Sequence, residues 1–149
     1  MKNLFEVTTL HEMKRRLAQL SAGSKRRWGK MNAAQMLGHC SEWMEMAAGK
    51  ACPARSWLGY IVGPWAKRSI LGEAPIRRNM PTDKSLIVND ERDFASEQQR
   101  LALSMDRFTL GGPEQCTKDP HSFFGPMTAE EWATLAYKHL DHHFQQFGV

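Results

Sequence analysis

The sequence predicts an all-α fold, a four-helix bundle formed by a single domain over residues 1–149. Four segments repeat apolar residues at intervals of three or four, which is the spacing of one helix face. Residues typical of helix starts and stops bracket these segments, and no segment alternates polar and apolar residues for the length of a strand. A chain of 149 residues is also the size of one ordinary domain.

The first predicted helix extends from about residue 9 to residue 21. Thr9 and Glu12 have the spacing of a capping box, in which two side chains satisfy backbone N–H groups at a helix start. The apolar positions that follow are Leu10, Met13, Leu17 and Leu20. We expect the helix to end in the stretch SAGSKRR.

The second predicted helix starts at Asn32, with Gln35 as the partner in a capping box. Met31 and Met36 have the spacing of a hydrophobic staple across the same start. We expect this helix to reach Ala48 and to stop near Gly49.

Two further helices follow in the second half of the chain. One opens at Asn89 or Asp90, runs to about Phe108 and ends at GGP, residues 111–113. The other opens at Thr128, with Glu131 as its box partner, and runs to the C-terminal end of the chain. Its predicted last residues are Phe147 and Gly148.

A long connection, residues 50–89, separates the second helix from the next one and is rich in Gly, Pro and Arg. Its apolar residues predict a short additional helix containing Trp57, Tyr60, Ile61 and Trp65. A crossover of this length frees the helices that it joins from simple antiparallel order.

Composition excludes several classes of protein. The longest apolar run, residues 57–66, is ten residues long, half of what a membrane span needs, so we expect no membrane partner. No secretory signal is visible and three scattered cysteines make no framework, which predicts a cytoplasmic protein with reduced thiols. The net charge of +4 comes from short basic clusters typical of solvated surfaces, so we expect no nucleic-acid partner.

The histidines are the strongest candidates for residues of a functional site. His139 and His143 are four residues apart on the stripe of the last helix that also carries Trp132 and Ala136. His39 lies on the inward stripe of the second helix, beside Met36 and Trp43 in helical spacing. A site of His39, His139 and His143 is therefore the sharpest hypothesis, since imidazoles at this spacing can converge on one cation.

The same histidines also admit a purely structural interpretation. His39 could be a hydrogen-bonded core residue, and cations at the end of a helix complement its dipole. His142 is an alternative ligand on a more polar stripe. Glu42 is either a partner of His39 or, as we expect, a surface charge, and we expect Cys40 to be a small core residue.

Two motifs resemble those of a known superfamily. HLDHHFQQ, residues 139–146, is similar to the H-x-x-H-H-x-x-Q end of the last helix in the DinB/YfiT-like superfamily. MNAAQMLGHCSEW, residues 31–43, resembles the segment that supplies its other metal histidine, and residues 121–149 resemble an uncharacterised subgroup. Many of these relatives have Arg-Gly where this chain has Phe144 and Gln145.

The resemblance implies an up-down-down-up four-helix bundle that binds a divalent metal, zinc or nickel, through His39, His139 and His143. It also implies a small-molecule substrate and one of two reactions: metal-assisted hydrolysis, or transfer or isomerisation that uses a low-molecular-weight thiol. Arginines of the crossover could then hold the carboxylates of the thiol. The alternative is a bundle without catalytic activity, a homodimer for example, whose histidines are structural.

Overall fold

The computed structural model describes residues 1–50 and 52–149 of the chain. In this part of the chain the protein is all-helical and has no β-strand, which confirms the predicted fold class. The five α-helices are α1 (Val7–Leu17), α2 (Ala33–Ala47), α3 (Trp57–Ile70), α4 (Phe94–Gln115) and α5 (Ala129–Gln146). A 3-10 turn, Lys84–Leu86, lies between α3 and α4. None of these helices is long and apolar enough to cross a membrane.

Both helices that carry the histidines begin at predicted capping boxes. The Asn32 side chain accepts from the backbone N–H of Gln35 at the start of α2, and the Gln35 side chain accepts from Asn32 in return. Thr128 and Glu131 form the same pair at the start of α5. Satisfying otherwise unpaired N–H groups in this way fixes where each helix starts, and therefore which of its residues face the core.

The predicted starts of α1 and α4 are wrong. Thr9 lies buried inside α1, where its hydroxyl donates to the Glu6 carboxylate, so no box forms with Glu12. α4 begins after Asp93, three residues later than Asp90 would place it, because the Asp93 carboxylate accepts from the backbone N–H of Ser96. Near each predicted start, several residues have side chains that could cap the helix. Residue spacing alone does not show which of them is the cap.

The end of α4 is bent at the predicted stop. Gly112 has φ +57° and ψ −159°, outside helical values, and Pro113 follows it. A short helical turn continues from there to Gln115. The GGP stretch therefore breaks the helix, as glycine and proline are expected to do, but the chain resumes a helical path beyond it.

The core lies where four of the helices meet. α1 and α2 each pack against both α4 and α5, and α2 against α4 is the most extensive of these contacts. The largest fully buried side chains come from all four helices and the N-terminal segment, and they include Leu4, Met13, Met36, Met105, Trp132 and Phe144. This packing places the inward stripes of α2 and α5 opposite each other.

An ion-pair network joins the outer sides of α2 and α4. Arg100 pairs with Glu45 at 2.7 Å and with Glu97 at 3.3 Å, while Arg92 pairs with Glu97 at 2.9 Å and with Glu42 at 3.3 Å. Glu42, expected to be an exposed surface charge, is instead partly buried and paired with Arg92 in this network. Networks of this kind fix helix register more than they add to stability.

α3 is attached differently from the other helices. Only Gly59 and Gly63 are buried in it, and both lie against the backbone of Phe123. Its packing on the other four helices is slight in the part of the chain described. The predicted additional helix is therefore confirmed, and its buried residues contact a loop, whereas Ile70 at its C-terminal end packs against the core. The crossover in which it was predicted includes Ala51, which lies outside the described residues.

Candidate metal centre

Three histidines from two helices meet in the core between α2 and α5. One ring nitrogen from each of His39, His139 and His143 lies within 4.8 Å of the other two. The three ring centroids are 4.7–4.9 Å apart. His39 and His143 are buried, whereas His139 is partly exposed. These are the three residues that the sequence brought together as candidates.

The His39 ring is oriented by the 3-10 turn. Its Nδ1 lies 2.8 Å from the backbone carbonyl oxygen of Leu86, and a carbonyl can only accept. Nδ1 therefore carries the proton and donates it, which leaves Nε2 as a lone pair directed into the cluster. The Asp83 side chain stabilises the turn by accepting from Ser85, so the crossover has a direct part in the site.

The His143 ring is oriented by Gln146, one turn further along α5. Nδ1 of His143 lies 2.9 Å from the Gln146 side-chain oxygen, and the amide nitrogen of Gln146 donates to the carbonyl oxygen of Trp28 at 2.8 Å. Because the Trp28 carbonyl must accept, the Gln146 amide has one orientation and its oxygen faces the ring. His143 accordingly donates from Nδ1 and keeps a lone pair on Nε2.

The His139 ring lies between the other two rings and Trp43. Its Nε2 is 3.0 Å from Nε2 of His39, and Trp43 covers it with a centroid separation of 4.9 Å. Its Nδ1 is buried and has no hydrogen-bond partner among the described residues. A buried ring nitrogen left in this state costs about 1–3 kcal/mol, which calls for an explanation such as a bound ion or water.

Burial keeps all three rings neutral. It lowers the pKa of His39, with the Leu86 hydrogen bond acting in the opposite direction, and lowers the pKa of His143 to about 3. The pKa of His139 falls well below its ordinary value because of burial first and of the neighbouring histidines second. Neutral imidazole is the form that binds a metal, so the environment presents the three residues as ligands at ordinary pH.

The donor type and the spacing of the three histidine nitrogens fit a divalent cation. Nitrogens bonded to one zinc ion lie about 2.0–2.1 Å from it, so tetrahedral ligands are roughly 3.4 Å apart. The His39 and His139 nitrogens are already close to that separation. Small side-chain rotations bring in the third, since no pair is separated by more than 4.8 Å. Three ligands leave a fourth position for water or a substrate.

His142 lies outside this group. Its ring packs against those of His143 and Trp28, at centroid separations of 5.1 Å and 5.6 Å. It lines a small cleft of about 120 Å³ together with Trp28, Ile76 and Arg78. The geometry therefore favours His143 over His142 as the partner of His139.

His121 is a nearby residue that the sequence did not single out. Its ring packs on Trp132 and Phe124, and its Nδ1 accepts from the backbone N–H groups of Phe123 and Phe124. Burial lowers its pKa to about 4. His121 lies in a loop that has no helical periodicity. The only signal for it in the sequence is its position a few residues before the capping box at Thr128.

The other candidate residues, Cys40 and the arginines of the crossover, lie outside the histidine cluster and make contacts typical of structural residues. Cys40 is buried, and burial raises the pKa of its thiol, which makes it a core residue as predicted. Among the crossover arginines, Arg55 stacks over Tyr60 at 3.8 Å and Arg78 over Trp28 at 4.2 Å. Neither arginine is a member of the histidine group.

Comparison with known proteins corrects the resemblance drawn from the two motifs. No curated protein and no solved structure matches the chain significantly. Residues 2–148 match the model of one family over nearly the whole chain, and that family is not the DinB/YfiT-like superfamily. The assignment to that superfamily is therefore wrong: a capped helix with one histidine and an H-x-x-H-H helix end are short patterns that unrelated helical proteins can share. The thiol-dependent reaction depended on that resemblance alone and loses its basis. The chain belongs to the family described as "Protein of unknown function (DUF1569)".

Proposed function

We propose that this protein binds one divalent transition metal through His39, His139 and His143, and uses it in catalysis. The observation that carries the proposal is the meeting of three ring nitrogens within 4.8 Å in a core otherwise formed by apolar side chains. His39 and His143 each have the far ring nitrogen bound to an oxygen acceptor. This is the arrangement that orients metal-binding imidazoles in proteins.

The free-energy cost of burying three imidazole rings in the core supports a role for the cluster other than stabilising the fold. Three imidazoles occupy core positions that apolar residues could fill, and one of their nitrogens has no partner among the described residues. His39 and His143 also direct Nε2 lone pairs into the cluster, and burying lone pairs without enough donors destabilises a fold, so the cluster is easier to understand when a cation accepts them.

Zinc or nickel is the metal that we propose. All three donors are imidazole nitrogens, which suit borderline cations and do not suit magnesium or calcium, which prefer oxygen. Nothing in the donor set is soft, since the group contains no cysteine. The choice between zinc and nickel is left to metal analysis.

The reaction class that we propose is hydrolysis of a small molecule. A divalent metal held by these three neutral imidazoles would supply Lewis acidity and would lower the pKa of water at the site, which is the chemistry that hydrolysis near neutral pH needs. The protein supplies the ligands and their orientation through Leu86 and Gln146. Because His39 and His143 are buried, only a small chemical group could reach the site, on the side of His139.

A second account treats the cluster as structural and the protein as non-catalytic, with a homodimer as one form. The observation in its favour is the 3.0 Å separation of the His39 and His139 Nε2 atoms, which one hydrogen bond between neutral rings would explain. In that case the His139 ring donates to His39 and needs no metal.

Metal analysis distinguishes the two accounts. The untagged protein, a His39→Ala/His143→Ala variant and a His142→Ala control are analysed for metal content, with circular dichroism to verify folding. We expect about one zinc or nickel per chain in the wild type and in the control, and a loss in the double variant. A folded wild type that holds no metal after incubation with zinc and with nickel would instead favour the structural account.

We also propose that α1, α2, α4 and α5 form a four-helix bundle in one domain, with the crossover between α2 and α4 as its long connection. The pairwise packing of α1 and α2 on both α4 and α5 supports this arrangement. In such a bundle the ligands come from facing helices, which is where sites in helix bundles are built.

A further inference from the structure

α3 exposes the apolar face that a surface helix normally buries. Half of the exposed large hydrophobic side chains in the described part of the chain belong to this one helix. They are Trp57, Leu58, Tyr60, Ile61, Val62 and Trp65, and the two tryptophans are 75% and 77% exposed. Soluble proteins rarely expose a contiguous apolar patch of this kind, and where one occurs it often marks an interaction surface.

The apolar residues cover most of the circumference of α3. At 100° per residue, the positions from Tyr60 through Trp57 to Val62 span an arc of about 200°. The opposite side carries Gly59 and Gly63, whose missing side chains let the helix approach the backbone of Phe123. The outer surface is therefore a convex apolar ridge, much wider than the seam by which one helix packs on another.

The segment of the chain that contains the ridge carries charge of a single sign. Between Glu45 and Glu73 the sequence contains no acidic residue, but it contains the four basic residues Lys50, Arg55, Lys67 and Arg68. Arg68 is exposed and falls on the same stripe as Trp57 and Ile61. Lys67 is held by Glu131 at 3.0 Å on the protein side.

We infer that α3 binds the surface of a membrane that contains anionic lipids, lying in the interface without crossing it. Tryptophan and tyrosine are the residues typical of the lipid–water boundary, since one part of each ring is apolar and another part is polar. A fluid interface adapts to a convex ridge, and the phosphates of its headgroups complement Arg68. This goes beyond the proposed metal chemistry and reverses the expectation of no membrane partner, which was drawn from the lack of a segment long enough to span a membrane.

A second copy of the chain fits the ridge less well. Two α3 helices facing each other would bury two Arg68 side chains, and the ridge offers no carboxylate to either of them. A buried charge without a partner strongly destabilises an interface. Two convex surfaces also meet over a small area, whereas a stable interface needs about 800 Å² from each partner.

Flotation with vesicles tests the inference. The full-length protein is mixed with vesicles of phosphatidylcholine alone, or of phosphatidylcholine and phosphatidylglycerol in a ratio of roughly 3:1. The ridge variant is Trp57→Ser/Ile61→Ser/Trp65→Ser, whose positions are all exposed, so that folding is preserved. The matched control is Leu103→Ser/Leu110→Ser, which removes two exposed leucines from α4.

We expect the wild type and the α4 control to float with the anionic vesicles and the ridge variant to bind at least about tenfold more weakly. Arg68→Gln should weaken binding by about fivefold, less so at high salt. The inference is overturned if the wild type floats with neither vesicle, or if the ridge variant binds as well as the wild type. A lipid-free dimer that the ridge substitutions dissociate, measured by sedimentation equilibrium, would overturn it too, because a second copy would then cover α3.

Discussion

The lone pairs of His39 and His143 are set by hydrogen bonds that depend on contacts between distant parts of the chain. A backbone carbonyl, that of Leu86, fixes His39, and the side chain of Gln146 fixes His143 through its own bond to Trp28. The distance between Leu86 and His39 along the chain is 47 residues, and that between Trp28 and Gln146 is 118. Helical periodicity could place the histidines on inward stripes, and the H-x-x-H-H-x-x-Q motif includes Gln146, but neither pattern could supply the backbone carbonyls of Leu86 and Trp28.

Gln146 is the partner that can be tested by substitution. In Gln146→Ala the His143 ring loses its acceptor, and we expect the affinity for zinc to fall by about 10–100-fold, as is typical when such a partner is removed. Gln145→Ala is the control, because Gln145 is exposed and donates to Asp141. Competition with a chromophoric chelator measures both affinities. Equal affinities in the two variants would show that Gln146 does not orient a ligand.

His121 predicts a pH dependence of stability. Burial holds its folded-state pKa at about 4, below the ordinary 6.5. The unfolded chain therefore takes up a proton first as the pH falls, and this residue's contribution is present above pH 6.5 and lost between 6.5 and 4. The loss is on the order of 1–3 kcal/mol.

The comparison variant for this prediction is His121→Asn, since the asparagine oxygen can still accept from the Phe123 and Phe124 N–H groups but does not titrate. Urea unfolding at pH 7 and pH 5 measures the free energy of unfolding of both proteins. The wild type should lose more stability between these pH values than the variant does. An equal loss in the two proteins would contradict the assignment.

Among the elements, α3 separates what a sequence pattern can predict from what it cannot. Its apolar residues predicted a helix, and the helix is present from Trp57 to Ile70. These residues face outward, because Gly59 and Gly63 make the contact with Phe123. Hydrophobic periodicity predicts a helix with one apolar face, but it does not show whether that face packs against the core or is exposed.

The contact between α3 and the Phe123 backbone predicts an unusual effect of a glycine-to-alanine change. A Cβ at position 63 would lie 2.2 Å from the Phe123 oxygen, so Gly63→Ala should destabilise the protein by about 1–3 kcal/mol. Gly38→Ala is the matched control inside α2, where the nearest atoms are 3.5 Å away. There the change should be neutral or stabilising by up to about 1 kcal/mol. Urea unfolding checks both, and a neutral Gly63→Ala would mean that α3 is not held at this contact.

At the scale of the whole molecule, the sequence predicted the helical class and all five α-helices, with correct starts for α2 and α5. Those two starts had reciprocal side-chain caps, whereas Thr9 at α1 and Asn89 or Asp90 at α4 had none in the structure. The family assignment failed for a related reason. Histidine spacing reports local geometry, while membership of a family depends on the whole chain, which matches DUF1569 over residues 2–148.

The central claim is that three imidazoles hold one metal ion, and X-ray absorption spectroscopy at the metal edge tests it most directly. We expect the zinc-loaded or nickel-loaded protein to show imidazole nitrogens at about 2.0–2.1 Å, numbering three per metal, and His39→Ala to lose that signature. A spectrum dominated by sulfur at about 2.3 Å, or one unchanged in His39→Ala, would contradict the claim.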